Sequence, residues 1–175
     1  IDANYSVIGS CNVTLPLGTP CAEVDLDRSR FIGMDHGISA LNSSSSRSIT
    51  VKDTDFQDNI CGVYVNGVVG YQVKNCRFTM GGRNVTLDGD EDGVFDSRHR
   101  GIFSTEAWAF TVMDNTLEQG GPHVETEGIV VGYSRDHNDM VFRNHVSGLE
   151  RGYIGEGVAA DPASGYTSVR GLQFI

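Results

Sequence analysis

Apolar and polar residues alternate along this chain in short bursts, and the bursts return at a regular interval. One burst opens with Gly, adds an apolar residue and then alternates: Gly37-Ile-Ser-Ala, Gly62-Val-Tyr-Val, Gly101-Ile-Phe-Ser, Gly128-Ile-Val-Val and Gly152-Tyr-Ile-Gly. The second pairs a Val with a large apolar residue five positions on. Its copies are Val51 with Phe56, Val73 with Phe78, Val112 with Leu117, Val141 with Val146 and Val169 with Phe174; Leu26 with Phe31 is a weaker one. Both bursts have period two, the signature of a strand whose side chains point to opposite faces. No stretch keeps the period of an amphipathic helix over three turns. Asn, Asp, Gly and Ser fill the joints, as turn chemistry requires.

The Gly positions step by 25, 39, 27 and 24 residues, and the Val positions by 22, 39, 29 and 28. The long step in each series falls at the same place, so one insertion lies near residues 79–100. Short strands at such a period predict a solenoid, in which each coil buries its apolar face only by stacking on the next. The expected fold is all-β: a right-handed parallel β-helix of about six coils, forming a rod of about 30 Å at the usual strand spacing. A β-sandwich is the alternative; it would show hairpin signals, of which Asn66-Gly67 is the single instance. Residues 24–175 are assigned to the solenoid, and 1–23 to an N-terminal cap or preceding partial coil. The ends read like the interior of an element, so a fragment of a longer chain is expected.

Stacking the Gly-led strands predicts which side chains share a face. Ile38, Val63, Ile102, Ile129 and Tyr153 should point inward, as should Ala40, Val65, Ser104, Val131 and Gly155. Ser39, Tyr64, Phe103, Val130 and Ile154 should point out. Four of these five are apolar, which implies either a loop lying over them or a binding surface. Tyr64 and Phe103 would then be stacking platforms for a sugar or a protein, beside Val130 and Ile154.

The column before each Gly reads His36, Cys61, Arg100, Glu127 and Arg151, and one step earlier Asp35, Ile60, His99, Thr126 and Glu150. In that register Arg100, Glu127 and Arg151 form a ladder, with His99 and Glu150 beside it. One reading is a row of surface ion pairs, each worth about 0–1 kcal/mol. The other is catalytic: a base that removes a proton, and cations that neutralise developing charge.

Composition narrows the partners. The chain has 175 residues with 23 acidic and 13 basic side chains, a net charge of −10. That is one domain with a core, and a surface ill-suited to duplex nucleic acid or anionic lipid. No apolar run approaches a membrane span. Within the insertion, Asp88, Asp90 and Asp92 followed by Gly93 match the opening of a calcium loop, and Asp96 is a further candidate ligand. His99 stands where an EF-hand would place its Glu, so the choice is between a calcium loop of another kind and an acidic solvated loop. Cys11 and Cys21 bracket a stretch containing Pro and Gly and are candidates for a disulfide in an oxidising compartment, whereas Cys61 and Cys76 read as buried thiols. His123, Glu125 and Glu127 alternate on one strand face, which is metal-like spacing without a fourth ligand. Asn12, Asn42 and Asn84 begin N-glycosylation sequons. Motifs for serine hydrolases, P-loops, dinucleotide folds and zinc proteases are absent.

The repeat resembles that of the right-handed parallel β-helix proteins, the pectate-lyase-like superfamily. Its Gly-Ile and Val-x-Asn/Asp texture is similar to β-helix stretches of large secreted bacterial surface proteins. The resemblance covers residues 24–175 and implies a secreted or cell-surface location. It leaves two functions open, because this fold hosts many. One is an extracellular structural or adhesive module of a surface or filament protein, whose partners are polysaccharides or neighbouring β-helix segments. The other is a polysaccharide lyase or glycoside hydrolase acting on an acidic polymer. In that case Arg100 and Arg151 would neutralise charge or act as base, Glu127 and Glu150 would be the carboxylates, His99 a proton shuttle, and the Asp88–Asp92 loop a calcium holder.

Overall fold

The computed structural model describes residues 7, 8, 10, 11, 26–41, 48–83, 98–122, 125–134, 139–156, 160, 161, 166, 167 and 172–174, and every element among them is a strand. Three parallel sheets organise the molecule. The first contains β1 (Val7–Ile8), β6 (Thr50–Lys52), β9 (Gln72–Lys74), β12 (Thr111–Met113), β15 (Asp139–Phe142) and β20 (Leu172–Phe174), in that order. The second runs β4 (Ser29–Ile32), β7 (Thr54–Gln57), β10 (Arg77–Met80), β13 (Thr116–Gln119) and β16 (His145–Ser147). The third runs β5 (His36–Leu41), β8 (Cys61–Asn66), β11 (His99–Thr105), β14 (Thr126–Gly132) and β17 (Arg151–Glu156). The chain visits the sheets in turn, so each strand pairs with its counterpart one coil away: an all-β solenoid of stacked parallel strands. Two small antiparallel pairs stand apart, β2 (Ser10–Cys11) with β3 (Leu26–Asp27) and β18 (Ala160–Asp161) with β19 (Tyr166–Thr167).

The core is a set of columns, one residue per coil. Val51, Val73, Val112 and Val141 align in the first sheet. Phe31, Phe56, Phe78, Leu117 and Val146 align in the second. The phenyl rings stack, with centroids 5.5 Å apart for Phe31–Phe56 and 4.7 Å for Phe56–Phe78. Ile38, Val63, Ile102 and Ile129 align in the third sheet and are buried in the same cluster. Identical spacing in sequence thus becomes vertical contact, which is how coils too thin to hold a core alone bury one together.

The recurring Gly has a steric cause. A Cβ on Gly62 would sit 2.6 Å from the Gly101 carbonyl oxygen and 2.6 Å from the Phe78 ring; one on Gly101 would sit 2.5 Å from Leu117 and 2.8 Å from the Gly128 oxygen. The backbone bends towards the second sheet here, so two consecutive positions, Gly and its successor, are both buried. Corners are turned by left-handed residues. Asp53, Asn75, Asp114 and Arg143 occupy equivalent positions between the first and second sheets, all with φ between 52° and 56°. The following residue supplies a side chain that satisfies the corner of the preceding coil. Asn115 accepts from the Cys76 amide at 2.9 Å and donates to the Val73 carbonyl at 3.0 Å; Asn144 accepts from the Asn115 amide and donates to the Val112 carbonyl, each at 3.0 Å.

The expected registers hold for the middle coils and fail at both ends. Leu26 does not align with Val51: it pairs antiparallel with Cys11, and Ile8 takes the place beside Val51. At the other end Phe174, not Val169, pairs with Val141. Tyr153 and Gly155, expected inside, are exposed, because among the described residues β17 has no further strand stacked on it. Cys61 and Cys76 are buried thiols as expected, and burial pushes both up to about 12. The Cys11–Cys21 pairing, the three sequon asparagines and the acidic loop Asp88, Asp90, Asp92 and Asp96 lie outside the described residues. Among those described, no helix is long and apolar enough to cross a membrane.

Candidate functional site

The outer face of the third sheet carries a row of charged and aromatic side chains. The bend at each Gly places the residue before it and the second residue after it on this face. Arg100 pairs in register with Cys61 on one side and Glu127 on the other, and Glu127 pairs with Arg151. The ladder expected from the sequence is therefore built.

Glu127 sits at its centre. The side chain is 2% exposed, yet it is surrounded by guanidinium groups. Arg100 Nε donates to Oε2 at 2.9 Å. Arg151 Nη1 donates to Oε1 at 3.3 Å, and Arg98 Nη1 lies 3.6 Å from the same oxygen. Both carboxylate oxygens are engaged, and a buried carboxylate needs such partners. Three positive groups surround one negative group, so the cluster carries a surplus of two positive charges in a chain of net −10. Arg98 and Arg151 keep 42% and 45% of their side-chain surface exposed, so their remaining donors face solvent.

The aromatic row continues from it. The Arg100 guanidinium lies over the Phe103 ring, 4.5 Å from its centroid. Phe103 leans on Tyr64 at 5.4 Å between centroids, and Tyr64 on His36 at 5.5 Å. Phe103 and Tyr64 are half-buried, and each leaves part of its surface to solvent.

Several expected members stand elsewhere. His99 is fully buried and turned away from the ladder; its Nδ1 accepts the Gly81 amide at 3.2 Å. Alternation explains this, since the neighbour of an outward Arg100 must point in. Val130 aligns with Phe103 and Ile154 but is 1% exposed, so it is no open contact surface. It lies outside the core cluster, as does Cys61, so the outer face is covered at both points. Ile154 is half-buried. Glu150 is exposed at the rim, its amide bonded to Thr126 Oγ1 at 3.2 Å. The alternating set His123, Glu125 and Glu127 lies partly outside the described residues, since His123 is not among them; no group of three metal-type ligands occurs among those described. Sequence reasoning missed Arg98. It precedes the strand, where the column rule assigns no face, and only its two-residue offset from Arg100 hinted at a shared side.

No protein-family model matches the chain, and neither a curated protein nor a solved structure matches it.

Proposed function

We propose that this chain is a right-handed parallel β-helix of about six coils, akin to the pectate-lyase-like superfamily, that serves as a secreted or cell-surface adhesive module. Its ligand in this reading is an acidic polysaccharide, held on the outer face of the third sheet. The observation that carries the proposal is the arginine cage around Glu127. Guanidinium groups bind carboxylate and sulfate in paired, planar geometry. Aromatic faces accept the apolar side of a sugar ring. Arg98, Arg100 and Arg151 offer the first, and Tyr64 and Phe103 the second, side by side. Glu127 fixes the arginines in place before the ligand arrives, which lowers the ordering cost of binding.

The same cage favours binding over cleavage. Both oxygens of the Glu127 carboxylate are taken up by guanidinium groups, so neither is left open towards a substrate. His99, the expected proton shuttle, faces the core. The test is a polymer panel, acidic and neutral, with and without calcium, scored for affinity and for the ultraviolet absorbance of an unsaturated lyase product. Acidic polymers should bind, more weakly as salt rises. The double variant Arg98→Ala/Arg151→Ala should weaken binding at least about tenfold, the loss of one good charge-assisted contact. A rise in absorbance that disappears in Glu127→Gln would replace this reading with the lyase alternative.

A further inference from the structure

A second polar cluster lies inside the solenoid, remote from the arginine cage. In the corner between the third and first sheets, one interior column holds Tyr71, Phe110 and Asp139. The Thr111 amide donates to the Tyr71 carbonyl and the Met140 amide to the Phe110 carbonyl, which fixes the three in successive coils. The Tyr71 and Phe110 rings stack at 4.7 Å and 16°. The third coil places a carboxylate where the first two place a ring. The neighbouring inward column of the third sheet reads Val65, Ser104, Val131, so Ser104 is again the small polar member of an apolar series. Two adjoining columns thus each carry a smaller, polar side chain, in consecutive coils, where their neighbours carry rings or Val.

The polar atoms there are unsatisfied. Tyr71 Oη, Ser104 Oγ, Ser134 Oγ and Asp139 Oδ2 are all buried without a hydrogen-bond partner. They act on one another all the same. The Tyr71 hydroxyl feels both Ser104 and the Asp139 carboxylate, and the carboxylate feels the Ser134 hydroxyl. Tyr71 thus neighbours Ser104 and Asp139, and Asp139 neighbours Ser134, without the close approach of a full hydrogen bond at Tyr71 Oη, Ser104 Oγ, Ser134 Oγ or Asp139 Oδ2. Asp139 Oδ1 accepts from the Phe110 amide at 3.4 Å. Buried polar groups left unpaired are costly, and four in one place demand a shared partner. A buried water typically makes about three hydrogen bonds to groups of this kind.

We propose that Tyr71, Ser104, Ser134 and Asp139 enclose an internal water-binding site in the solenoid core, the water donating to the carboxylate and bridging the three hydroxyls. It replaces the missing ring of the column and ties three coils together through one molecule.

The test is water oxygen-17 relaxation dispersion on the full chain, in sodium chloride and in choline chloride. Wild type should show a long-lived water whose contribution falls by one molecule in Tyr71→Phe/Ser104→Val, which replaces two hydroxyls by apolar atoms. A second readout needs no variant: a nuclear Overhauser effect between long-lived water and the Tyr71 hydroxyl or ring protons. An unchanged dispersion in a folded variant, or no water contact at Tyr71, overturns the proposal. A contribution that appears only in choline assigns the site to a sodium ion instead and overturns it equally.

Discussion

At the scale of single residues, the two buried carboxylates face opposite electrostatic problems. Glu127 is surrounded by charge of the opposite sign. Asp139 has only dipoles: the amides of Phe110 and Ala109, the Ser134 hydroxyl and the protonated Tyr71. Burial therefore dominates and raises its pKa from 3.8 to about 6. The folded state prefers the neutral acid. This contribution to stability is fully present below about pH 4 and is lost as pH rises through about 6. Asp139→Asn keeps an acceptor for the Phe110 amide and removes the charge. It should raise stability at pH 7 by about 1–2 kcal/mol, allowing for screening, and leave stability near pH 4 almost unchanged. Denaturant midpoints of wild type and variant at the two pH values check this. Equal gains at both would mean that the substitution acts through packing rather than charge. None of this was legible in the sequence. Asp139 looks like one more acidic residue in a turn-rich stretch, and only the column it enters makes it exceptional.

At the scale of the strand, the glycine column was the most legible feature, and its meaning was not. Equal spacing identified Gly37, Gly62, Gly101 and Gly128 as equivalent, and the columns beside them followed, the arginine ladder included. The reason for Gly emerges only from the stack: the carbonyl of the next coil's Gly and the side chain of a Phe or Leu close the space a methyl would need. Gly62→Ala should therefore cost about 2–3 kcal/mol, as overpacking of a rigid core does. Gly132→Ala in the same sheet is the control, since its added methyl meets nothing nearer than 3.6 Å. Thermal denaturation of both separates crowding from any general intolerance of side chains; comparable losses would remove the steric explanation. The apolar pairs were weaker guides, because a Val with a large residue five positions on specifies no unique partner. Leu26 fits that spacing and still lies off the expected column, where Ile8 pairs instead, and at the other end the residue that pairs with Val141 is Phe174. Val130 stands on the outward column as expected and is covered, one of the two outcomes the apolar row implies. Alternation gives the face of a side chain but not what covers it.

At the scale of the whole molecule, the solenoid makes stability a local property. Each coil touches only its neighbours, so cohesion is a sum over interfaces between successive rungs. In the third sheet Val63, Ile102 and Ile129 are fully buried with a strand on each side, whereas Ile38 is 7% exposed and Tyr153 is 42% exposed on rungs with one strand neighbour among the described residues. Opening an outer rung breaks one interface, and opening a central one breaks two. Native-state hydrogen exchange should then be graded: amides of β8, β11 and β14 slowest, those of β5 and β17 faster by an order of magnitude or more, since about 1.4 kcal/mol separates each factor of ten. The arginine cage adds a second expectation, because Glu127 joins β11 to β17 across β14 through Arg100 and Arg151. Glu127→Gln should accelerate exchange in β17 more than in β5, which supplies none of the described cage residues. Uniform protection across all five strands would mean that the rungs unfold as one unit. In that event the cage could not tether the outer rung in particular, and its geometry would have to be explained by the ligand alone.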